Sequence, residues 1–410
     1  MGPSDQIGAN GGPSVLLVNH TSAMSGAEVS LVDLIEGLAP DHRITAAVPE
    51  GALAQRAREA GADVEVIPAV EGSLRLHPRH TPGSIAGIVG AAVAIRRIAR
   101  RTGSQVVHAN STRAGLAASL AARLGAPRPL VHLHDCLPPT SAARATEQVL
   151  SRSAEIVLAN SGYTAACFNG GHSRAPVAVV HNPIDLDRFD PGHVPRAEAR
   201  AAFGLAEGRF VLTVLAQITP WKGQDTAVEA VRLLRDRGRD VQLLVAGDIK
   251  FRRPLTRYDN DAYLRGLRER VRSTGLEEAV TFTGECHDVP ALLRAADCVL
   301  VPSWAEPWGR VVVEGMAMET PVVATNVGGT VELIEDGRNG LLAPPREPTA
   351  WADAVERLMD DPASRGRMVS AGTETARRFH RGWYVNELLG IYRRAVALAN
   401  GRAPRQHIAS

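Results

Sequence analysis

Two glutamates separated by seven residues, Glu306 and Glu314, are the strongest candidates for chemistry in this sequence. The apolar runs 311–313 and 316–318 predict a helix, and Pro307-Trp308-Gly309 predicts the turn that leads into it. The N-terminus of such a helix attracts phosphate through its amides and its dipole. A carboxylate beside that phosphate can accept hydrogen bonds from sugar or ribose hydroxyls. The competing interpretation is a pair of surface glutamates that flank a core helix.

A lysine, Lys222, stands at a second predicted strand-to-helix turn, after the apolar run 210–216. Its ammonium group is placed to neutralise a diphosphate as a point charge, and Gly223 opens the next helix with an accessible backbone. Taken alone, Lys222 is more simply interpreted as an exposed loop lysine, and the neighbouring glutamate segment reverses that preference. Gly328 and Gly329 form a third such turn, which allows close backbone approach but is weak evidence by itself.

Polar residues also end predicted strands in the first half of the chain. His134 and Asp135 close one apolar run, and His108 and Asn110 close the run before it. If these strands belong to one parallel sheet, the four side chains lie at its carboxyl edge, where ligands bind in such folds. A lone histidine at a strand end is more often structural, so His108 and Asn110 are the weaker candidates.

Short Val/Ile/Leu-rich runs, each followed by a helical pattern, recur along the whole chain and predict an α/β fold with buried parallel strands. A polar segment at 185–206, with two prolines, interrupts the pattern and predicts the hinge. We therefore predict two Rossmann-like doubly wound domains facing a cleft. The predicted strands occupy residues 15–19, 44–49, 64–68, 106–110, 130–135, 156–160 and 177–181, then 210–216, 241–248, 280–284, 298–302 and 321–325.

The predicted domain bounds are a flexible leader at 1–13, a first domain at 14–195 and a second domain at 206–378. Residues 379–410 form an amphipathic helix that could cross back to the first domain.

Composition excludes several classes of protein. A net charge of +2 and 4% aromatic residues argue against nucleic-acid binding. No apolar stretch approaches the roughly 20 residues of a membrane span. The four cysteines lack metal-ligand spacing, which favours free thiols in a reducing cytoplasm. No carboxylate cluster of the DxD kind ends a strand, so we expect neither a metal ion nor another cofactor.

The second half resembles the retaining family-4 glycosyltransferases of GT-B fold, closely over residues 210–345. The resemblance rests on Lys222-Gly223, the segment 306–314, the Gly328-Gly329 turn and the run 336–342, which occur in family order. It implies that the second domain holds a nucleotide-sugar donor and the first domain an acceptor. The roles carried over are Lys222 for the diphosphate, Glu314 for the ribose, Glu306 for the transferred sugar, and the backbone of Gly309, Arg310 and Val311 in support.

Other matches are looser. The loop that contains Cys286 occupies the place where the family cradles the base. Gly26, with Glu28 on the acceptor side, resembles the family's glycine loop, although the usual glycine pair is reduced to one. Gln217 stands where many members carry a second phosphate-binding arginine, so either Lys222 and the helix termini suffice or Arg310 contributes.

The family's equivalent of His134 lies near the transferred sugar, which makes a catalytic role for His134 as plausible as a structural one. Asp135, His108 and Asn110 remain acceptor-side candidates.

The function implied is transfer, with retention, of a hexose or N-acetylhexosamine from a UDP- or GDP-linked sugar to a hydroxyl acceptor. That acceptor is either a small natural-product or cyclitol core, or a glycan or lipid-linked molecule. The alternatives are a nucleotide-sugar epimerase of the same fold and a non-catalytic nucleotide-sugar binding protein. The oligomeric state is left open.

The segment 84–101 ends in four arginines and reads best as a crossover helix. Its alternative use is weak, peripheral contact with anionic membranes. In the loop before it, Arg75, His77, Arg79 and His80 are further acceptor candidates.

Overall fold

A computed structural model describes residues 12–70, 81–168, 173–250 and 258–402 of the chain. Most of the predicted leader, and the loop with Arg75, His77, Arg79 and His80, therefore lie outside the described residues. The chain divides into two compact units, one made of residues 1–183 with 381–410, the other of residues 184–380.

The first unit is a seven-stranded parallel sheet with helices on both faces. Its strand order is β3-β2-β1-β4-β5-β6-β7, so the chain winds outward in both directions from β1 and β4. The strands are β1 (Val15–Val18), β2 (Ile44–Val48), β3 (Asp63–Val66), β4 (Val106–Ala109), β5 (Pro129–Leu133), β6 (Ile156–Ala159) and β7 (Val177–Val179). The helices are α1 (Gly26–Leu38), α2 (Ala52–Glu59), α3 (Thr81–Thr102), α4 (Thr112–Arg123), α5 (Ser141–Ser153) and α6 (Gly162–Cys167).

The second unit repeats this winding with six parallel strands in the order β10-β9-β8-β11-β12-β13. The strands are β8 (Phe210–Leu215), β9 (Val241–Ala246), β10 (Val280–Gly284), β11 (Cys298–Val301), β12 (Val322–Thr325) and β13 (Leu341–Ala343). The helices are α7 (Arg196–Ala202), α8 (Gln224–Asp236), α9 (Asn260–Ser273), α10 (Val289–Ala295), α11 (Arg310–Ala317), α12 (Thr330–Leu333), α13 (Pro348–Asp360) and α14 (Pro362–Arg377). Both units therefore have the predicted Rossmann-like doubly wound form.

Continuous apolar strands form because both faces of each sheet are covered. In β1, Val15 and Leu17 pack into one core, whereas Leu16 and Val18 pack into the core on the opposite face. A central strand such as β1 therefore buries every side chain and needs no alternation of polar residues, whereas the edge strand β3 leaves Asp63 and Val66 exposed. The three-residue strand β13 is absent from the sequence prediction.

The segment predicted as the hinge packs inside the second unit. Helix α7 lies against α10, with Ala199 buried beside Leu292. Arg196 and Arg200 both form ion pairs with Asp297, at 2.6 and 3.2 Å. The structure divides the chain between residues 183 and 184, so residues 184–195 belong to the second unit.

The C-terminal helix α15 (Arg381–Ala399) belongs to the first unit. Its residues Leu388 and Ile391 share a core with Leu31 and Ile35 of α1. The amphipathic pattern of this helix thus has a structural cause, because its apolar side covers the first sheet.

Two of the four cysteines are not free, which corrects the prediction of four thiols. Cys136, just after β5, and Cys167, at the end of α6, form a disulfide with their Cα atoms 5.7 Å apart. They are 31 residues apart in sequence and meet because β5 and β6 are neighbours in the sheet. Cys286 and Cys298 are free. The prediction of a reducing cytoplasm rested on four free thiols, so the disulfide removes the argument for it.

Helix α3 carries an exposed apolar stripe. Ile85, Val89 and Val93 are 55%, 46% and 52% exposed and lie one above another at a spacing of four residues. Within the described residues, neither α3 nor any other helix combines the length and apolar character needed to span a membrane.

Candidate functional site

The winding of each sheet reverses between two neighbouring strands, and ligands bind at the carboxyl ends of strands on either side of such a point. In the second unit these strands are β8 and β11. The turn after β8 carries Lys222, and the turn after β11 carries Ser303 and Glu306. The topology therefore brings together residues that are 84 positions apart in sequence.

The two turns pack backbone against backbone. Gly223 has φ +71°, and a Cβ atom there would lie 1.9 Å from the carbonyl oxygen of Pro302. The amide of Trp304 donates a 2.8 Å hydrogen bond to the carbonyl of Trp221. A side chain at 223 would push the turns apart, so the Lys-Gly sequence is needed for packing as well as for access.

Lys222, Glu306 and Ser303 form one cluster. The Lys222 Nζ atom lies 2.7 Å from Glu306 Oε2, and Ser303 Oγ donates to the same oxygen at 2.8 Å. The Lys222 Nζ atom also lies 4.1 Å from the centroid of the Trp221 ring, a cation–π contact. Glu306 is 8% exposed, so its carboxylate is held in an environment where a charge needs partners.

A third turn, after β12, fixes the backbone of Glu306. The amide of Gly329 donates a 2.7 Å hydrogen bond to the Glu306 carbonyl. A Cβ atom on Gly328, which has φ +99°, would lie 2.1 Å from that carbonyl oxygen. The Gly328-Gly329 turn thus lets β12 approach and hold the loop that carries Glu306.

Helix α11 begins at Arg310, directly after Gly309, as the glutamate spacing predicts. The first hydrogen bond of this helix turn is donated by the Val312 amide to the Gly309 carbonyl, at 2.9 Å. The amides of Arg310 and Val311 come before it, at the N-terminus of the helix. Glu314 lies in the second turn, 7% exposed, and accepts a 2.7 Å hydrogen bond from Arg310 Nε. Arg310 is therefore engaged with Glu314 rather than standing as a separate cation.

Gln217 and Cys286 lie on the same unit, each after a strand of the sheet. The Gln217 carbonyl accepts a 2.9 Å hydrogen bond from the Gln224 side chain at the start of α8. Cys286 lies in the loop before α10, and its thiol donates to the Asp288 carbonyl at 3.3 Å. Partial burial raises the pKa of this thiol, so Cys286 is a neutral group in its loop.

In the first unit the winding reverses between β1 and β4, and the strands there are followed by asparagine side chains. Asn19 follows β1 and donates to Glu28 Oε1 at 3.1 Å, while Ser25 donates to the other oxygen of Glu28. Asn110 follows β4 and donates to the Ala27 carbonyl at 3.1 Å. The predicted acceptor-side residue Glu28 is thus buried, with both carboxylate oxygens occupied, and it fixes the glycine loop at Gly26.

His134 joins this network through Asn110. Since the Asn110 amide nitrogen donates to Ala27, its oxygen is the acceptor that lies 3.1 Å from His134 Nε2, and the imidazole donates from Nε2. Burial lowers the pKa of His134 to about 4, partly opposed by the Asn182 side chain. His134 is therefore a neutral hydrogen-bonding group at neutral pH, and the neighbouring Asp135 is exposed.

The rings of His134, His132 and His108 form a row in which each ring is tilted against the next, by 32° and 33°. The His132 ring centroid lies 4.2 Å from that of His134 and 5.4 Å from that of His108. His108 Nδ1 lies 2.6 Å from the Tyr392 hydroxyl of α15. Burial lowers the pKa of His108 to about 3 and the pKa of His132 well below its usual range. The prediction that His108 contacts an acceptor does not fit its position, because the ring is fully buried against α15.

Sequence reasoning missed three residues of these clusters. Asn19 and Ser303 are polar residues directly after buried strands, a signal that could have identified both. Tyr392 lies far away in sequence on a helix, and only the return of α15 to the first sheet brings it to His108.

Both units match known families. Residues 24–188 match the family described as Glycosyltransferase Family 4, and residues 195–375 match the family described as Glycosyl transferases group 1.

Relatives and solved structures extend these matches. The chain is 38% identical over 200 residues to alpha-D-kanosaminyltransferase of Streptomyces kanamyceticus, covering 48% of this chain and 49% of that protein. It thus spans about half the length of this relative. It is 31% identical over 323 residues to D-inositol 3-phosphate glycosyltransferase of Stackebrandtia nassauensis, covering 73% and 71%.

Two solved structures share the fold. One is HepE of Anabaena in complex with UDP-glucose, with a TM-score of 0.80, 24% identity, and 93% and 100% of the two chains covered. The other is sucrose-phosphate synthase of Thermosynechococcus elongatus, with a TM-score of 0.78, 21% identity, and 94% and 100% covered. From its two family matches and its identity to the Stackebrandtia protein, the chain belongs to the family-4 glycosyltransferases of GT-B fold.

Proposed function

We propose that the chain transfers a hexose or N-acetylhexosamine, with retention, from a nucleoside-diphosphate sugar to a hydroxyl acceptor. The observation that carries this proposal is the Lys222–Glu306 pair at the reversal point of the second sheet, 2.7 Å apart and next to the N-terminus of α11. A cation, helix amides and a carboxylate in one place match a ligand that has both phosphates and hydroxyls.

The donor is assigned to the second unit. Lys222 and the first amides of α11 would bind the diphosphate, because both present N–H donors where negative charge is favoured. Glu314, held in place by Arg310, would accept from the ribose hydroxyls. Glu306 would accept from the transferred sugar, and the loop of Cys286 would contact the base.

The chemistry needs no covalent enzyme intermediate. As the bond between the sugar and the diphosphate breaks, negative charge grows on the departing oxygen, and Lys222 with the α11 amides stabilises it. That oxygen takes the proton from the attacking acceptor hydroxyl on the same face of the sugar. This route retains the anomeric configuration, and no described step calls for a metal ion.

The acceptor is assigned to the first unit, where His134, Asn110 and Asp135 lie at the carboxyl edge. The pKa of His134 is lowered to about 4, so its ring is neutral and suits an uncharged hydroxyl. Between the open acceptor classes, we favour a cyclitol or similar small core, since the Stackebrandtia relative is named for inositol phosphate.

Calorimetry on the full chain with UDP, GDP, ADP and dTDP tests the donor assignment. UDP comes first, because HepE shares this fold and its crystal structure holds UDP-glucose. A nucleotide at about 100 times its dissociation constant should stabilise the fold by about 2.7 kcal/mol. No binding of any nucleoside diphosphate at millimolar concentration would contradict the proposal.

Turnover is tested with the matching sugar and inositol, with and without a phosphate group. Glu306→Gln should keep nucleotide binding and lose about 100-fold or more in kcat, because it removes charge at the sugar without removing Lys222. An NMR spectrum of the product reports whether the configuration is retained. Free sugar released at a rate insensitive to acceptor would instead favour the epimerase-type alternative. Nucleotide-sugar binding without turnover of any acceptor would favour a binding protein, and full activity of Glu306→Gln would contradict the role given to Glu306. Activity should persist in excess EDTA.

A weak membrane contact is a second candidate, favoured by the exposed stripe of Ile85, Val89 and Val93 on α3. Arg97 and Arg100 are exposed on the same helix, and this combination suits the surface of an anionic membrane. Sedimentation with phosphatidylglycerol vesicles at physiological salt should recover the protein, and Val89→Glu should reduce recovery. Equal recovery with neutral phosphatidylcholine vesicles, or none with either, would contradict the contact.

A further inference from the structure

Ser303 is a buried hydrogen-bond partner of the Glu306 carboxylate. Its side chain is 1% exposed, so no ligand needs to touch it. Its Oγ donates to Glu306 Oε2 at 2.8 Å, and Lys222 Nζ donates to the same oxygen at 2.7 Å. Both hydrogen bonds of this carboxylate to described residues therefore go to Oε2, which leaves Oε1 as the atom available to a ligand.

The two donors differ in freedom. Lys222 has a flexible stem and three N–H donors, so its ammonium group can turn toward a phosphate. Ser303 cannot move in this way, because both of its neighbours are fixed. The Pro302 carbonyl packs against Gly223, and the Trp304 amide bonds to the Trp221 carbonyl at 2.8 Å.

A donor diphosphate would compete with Glu306 for the charge of Lys222. When the ammonium group shifts toward phosphate, Oε2 of a nearly buried carboxylate loses part of its stabilisation, and the side chain is free to follow the lysine. A second donor on the same oxygen prevents this. The Ser303 hydroxyl is neutral, so it bonds the carboxylate without cancelling its negative charge.

We propose that Ser303 is a positioning residue for glycosyl transfer: it holds Oε2 of Glu306 while Lys222 engages the diphosphate, and so keeps Oε1 directed at a hydroxyl of the transferred sugar. This inference rests on the proposed function of the same site. It differs from the role of Lys222 in that Ser303 affects the reacting sugar and not the affinity for the nucleotide.

The test compares Ser303→Ala with wild type in full-chain calorimetry and steady-state kinetics. Loss of a hydrogen bond to a charged group should lower kcat about tenfold or more, while the Kd for the nucleoside diphosphate stays within about twofold. Ser303→Thr keeps the hydroxyl and should restore most of kcat. Ser119→Ala, which removes a buried hydroxyl of the first unit bonded by Ser153, is the matched control and should leave kcat unchanged.

The outcomes separate this inference from the proposed function. A wild type that binds no nucleoside diphosphate overturns the proposed function and this inference with it. A wild type that binds and turns over, with Ser303→Ala equally active, overturns the inference alone. Equal losses in kcat and nucleotide affinity, with a lowered Tm, also overturn it, because they indicate a role in folding. If the extra methyl group lowers the Tm of Ser303→Thr, Ser303→Cys replaces it, with turnover expected between those of serine and alanine.

Discussion

The two sheets present different chemistry at equivalent points of the same topology. At the reversal point of the second sheet, Lys222–Glu306 and Arg310–Glu314 form two ion pairs with side chains at most 17% exposed. At the reversal point of the first sheet, Asn19, Asn110 and His134 form a network of neutral donors and acceptors around Glu28. The fold sets where a ligand can bind, whereas the residues after each strand decide whether that place suits an anion or a hydroxyl.

The two units also differ in the pKa values of their histidines and in the state of their cysteines. The described histidines with a lowered pKa are all in the first unit: His20, His108, His132 and His134. Burial is the first cause in each case, followed for His20 by the charge of Arg113. The disulfide is in this unit as well, and the described free thiols are in the other. Acid and reductants should therefore lower the stability of the first unit. Loss of a charged side chain should instead lower ligand binding and turnover at the second.

Mild acid should produce the largest effect. A histidine that stays neutral when folded binds a proton below pH 6.5 once unfolded, so the folded state loses stability as pH falls from 6.5 toward the lowered pKa. Between pH 7 and 5 this loss is about 1 to 2 kcal/mol per histidine. Hydrogen exchange on the full chain should show amides of the first unit losing protection before those of the second.

His132→Phe sharpens this prediction. Both ring nitrogens of His132 are buried without a hydrogen-bond partner among the described residues, so an apolar ring of similar size removes a titrating group at little cost. The variant should flatten the dependence of Tm on pH. An unchanged pH dependence, or equal loss of protection in both units, would contradict the assignment.

Removing the charge of Lys222 should have the next largest effect. Lys222→Ala leaves Glu306 nearly buried without its cation and deprives the diphosphate of a partner, so kcat/KM should fall by about 100-fold or more. Arg272→Ala breaks an exposed ion pair with Glu269 in the same unit and serves as the control, because such pairs contribute little. Nucleotide affinity that survives in Lys222→Ala would show that the charges of the second unit do not select the donor.

Reduction of the disulfide should destabilise the first unit by about 2 to 4 kcal/mol, the usual contribution of a cross-link of this size. Cys136→Ser with Cys167→Ser should reproduce the effect without a reductant. Unfolding followed by hydrogen exchange should locate the change at β5, α5 and α6. A Tm insensitive to reductant, with both cysteines shown by mass spectrometry to be oxidised beforehand, would contradict it.

Tyr392→Phe should have the smallest effect. It removes the 2.6 Å hydrogen bond to His108 and should cost about 1 kcal/mol of stability. Since the ring of His132 lies between those of His108 and His134, turnover should change less than stability. A larger loss in kcat than in stability, measured by steady-state kinetics and denaturant unfolding, would show that α15 positions His134 for catalysis.

Much of the second site could be predicted from the sequence because its parts are local. The spacing of Glu306, Gly309 and Glu314 predicts a turn and a helix, and α11 begins where expected. Lys222-Gly223 is predictable in the same way, because the strand before it and the helix after it identify it as a strand-to-helix turn. The hydrogen bond from Ser303 to Glu306 could not be predicted, because the hydroxyl could face either side of the loop until the backbone is fixed.

The first site was less predictable because its contacts join distant segments. The sequence places His108 and His134 alike at the ends of apolar runs. In the structure His108 lies within β4 and bonds Tyr392 of α15, whereas His134 follows β5 and bonds Asn110. Nothing local distinguishes them. The packing of α7 was hard to predict for a related reason: this helix has the polar composition of a linker, but its arginines pair with Asp297 about 100 residues later.

The sequence by itself determined the two doubly wound sheets, since uninterrupted apolar strands alternating with helices can be buried only in layered parallel sheets. It also determined which turns carry Lys222 and Glu306, and that Glu314 lies in the helix after the second of them. Tertiary structure alone decided the pairing of Cys136 with Cys167, the burial of Glu28 and His108, and the two donors on one oxygen of Glu306. These depend on which strands become neighbours and on which face each side chain lies, and both are settled only when the whole sheet packs.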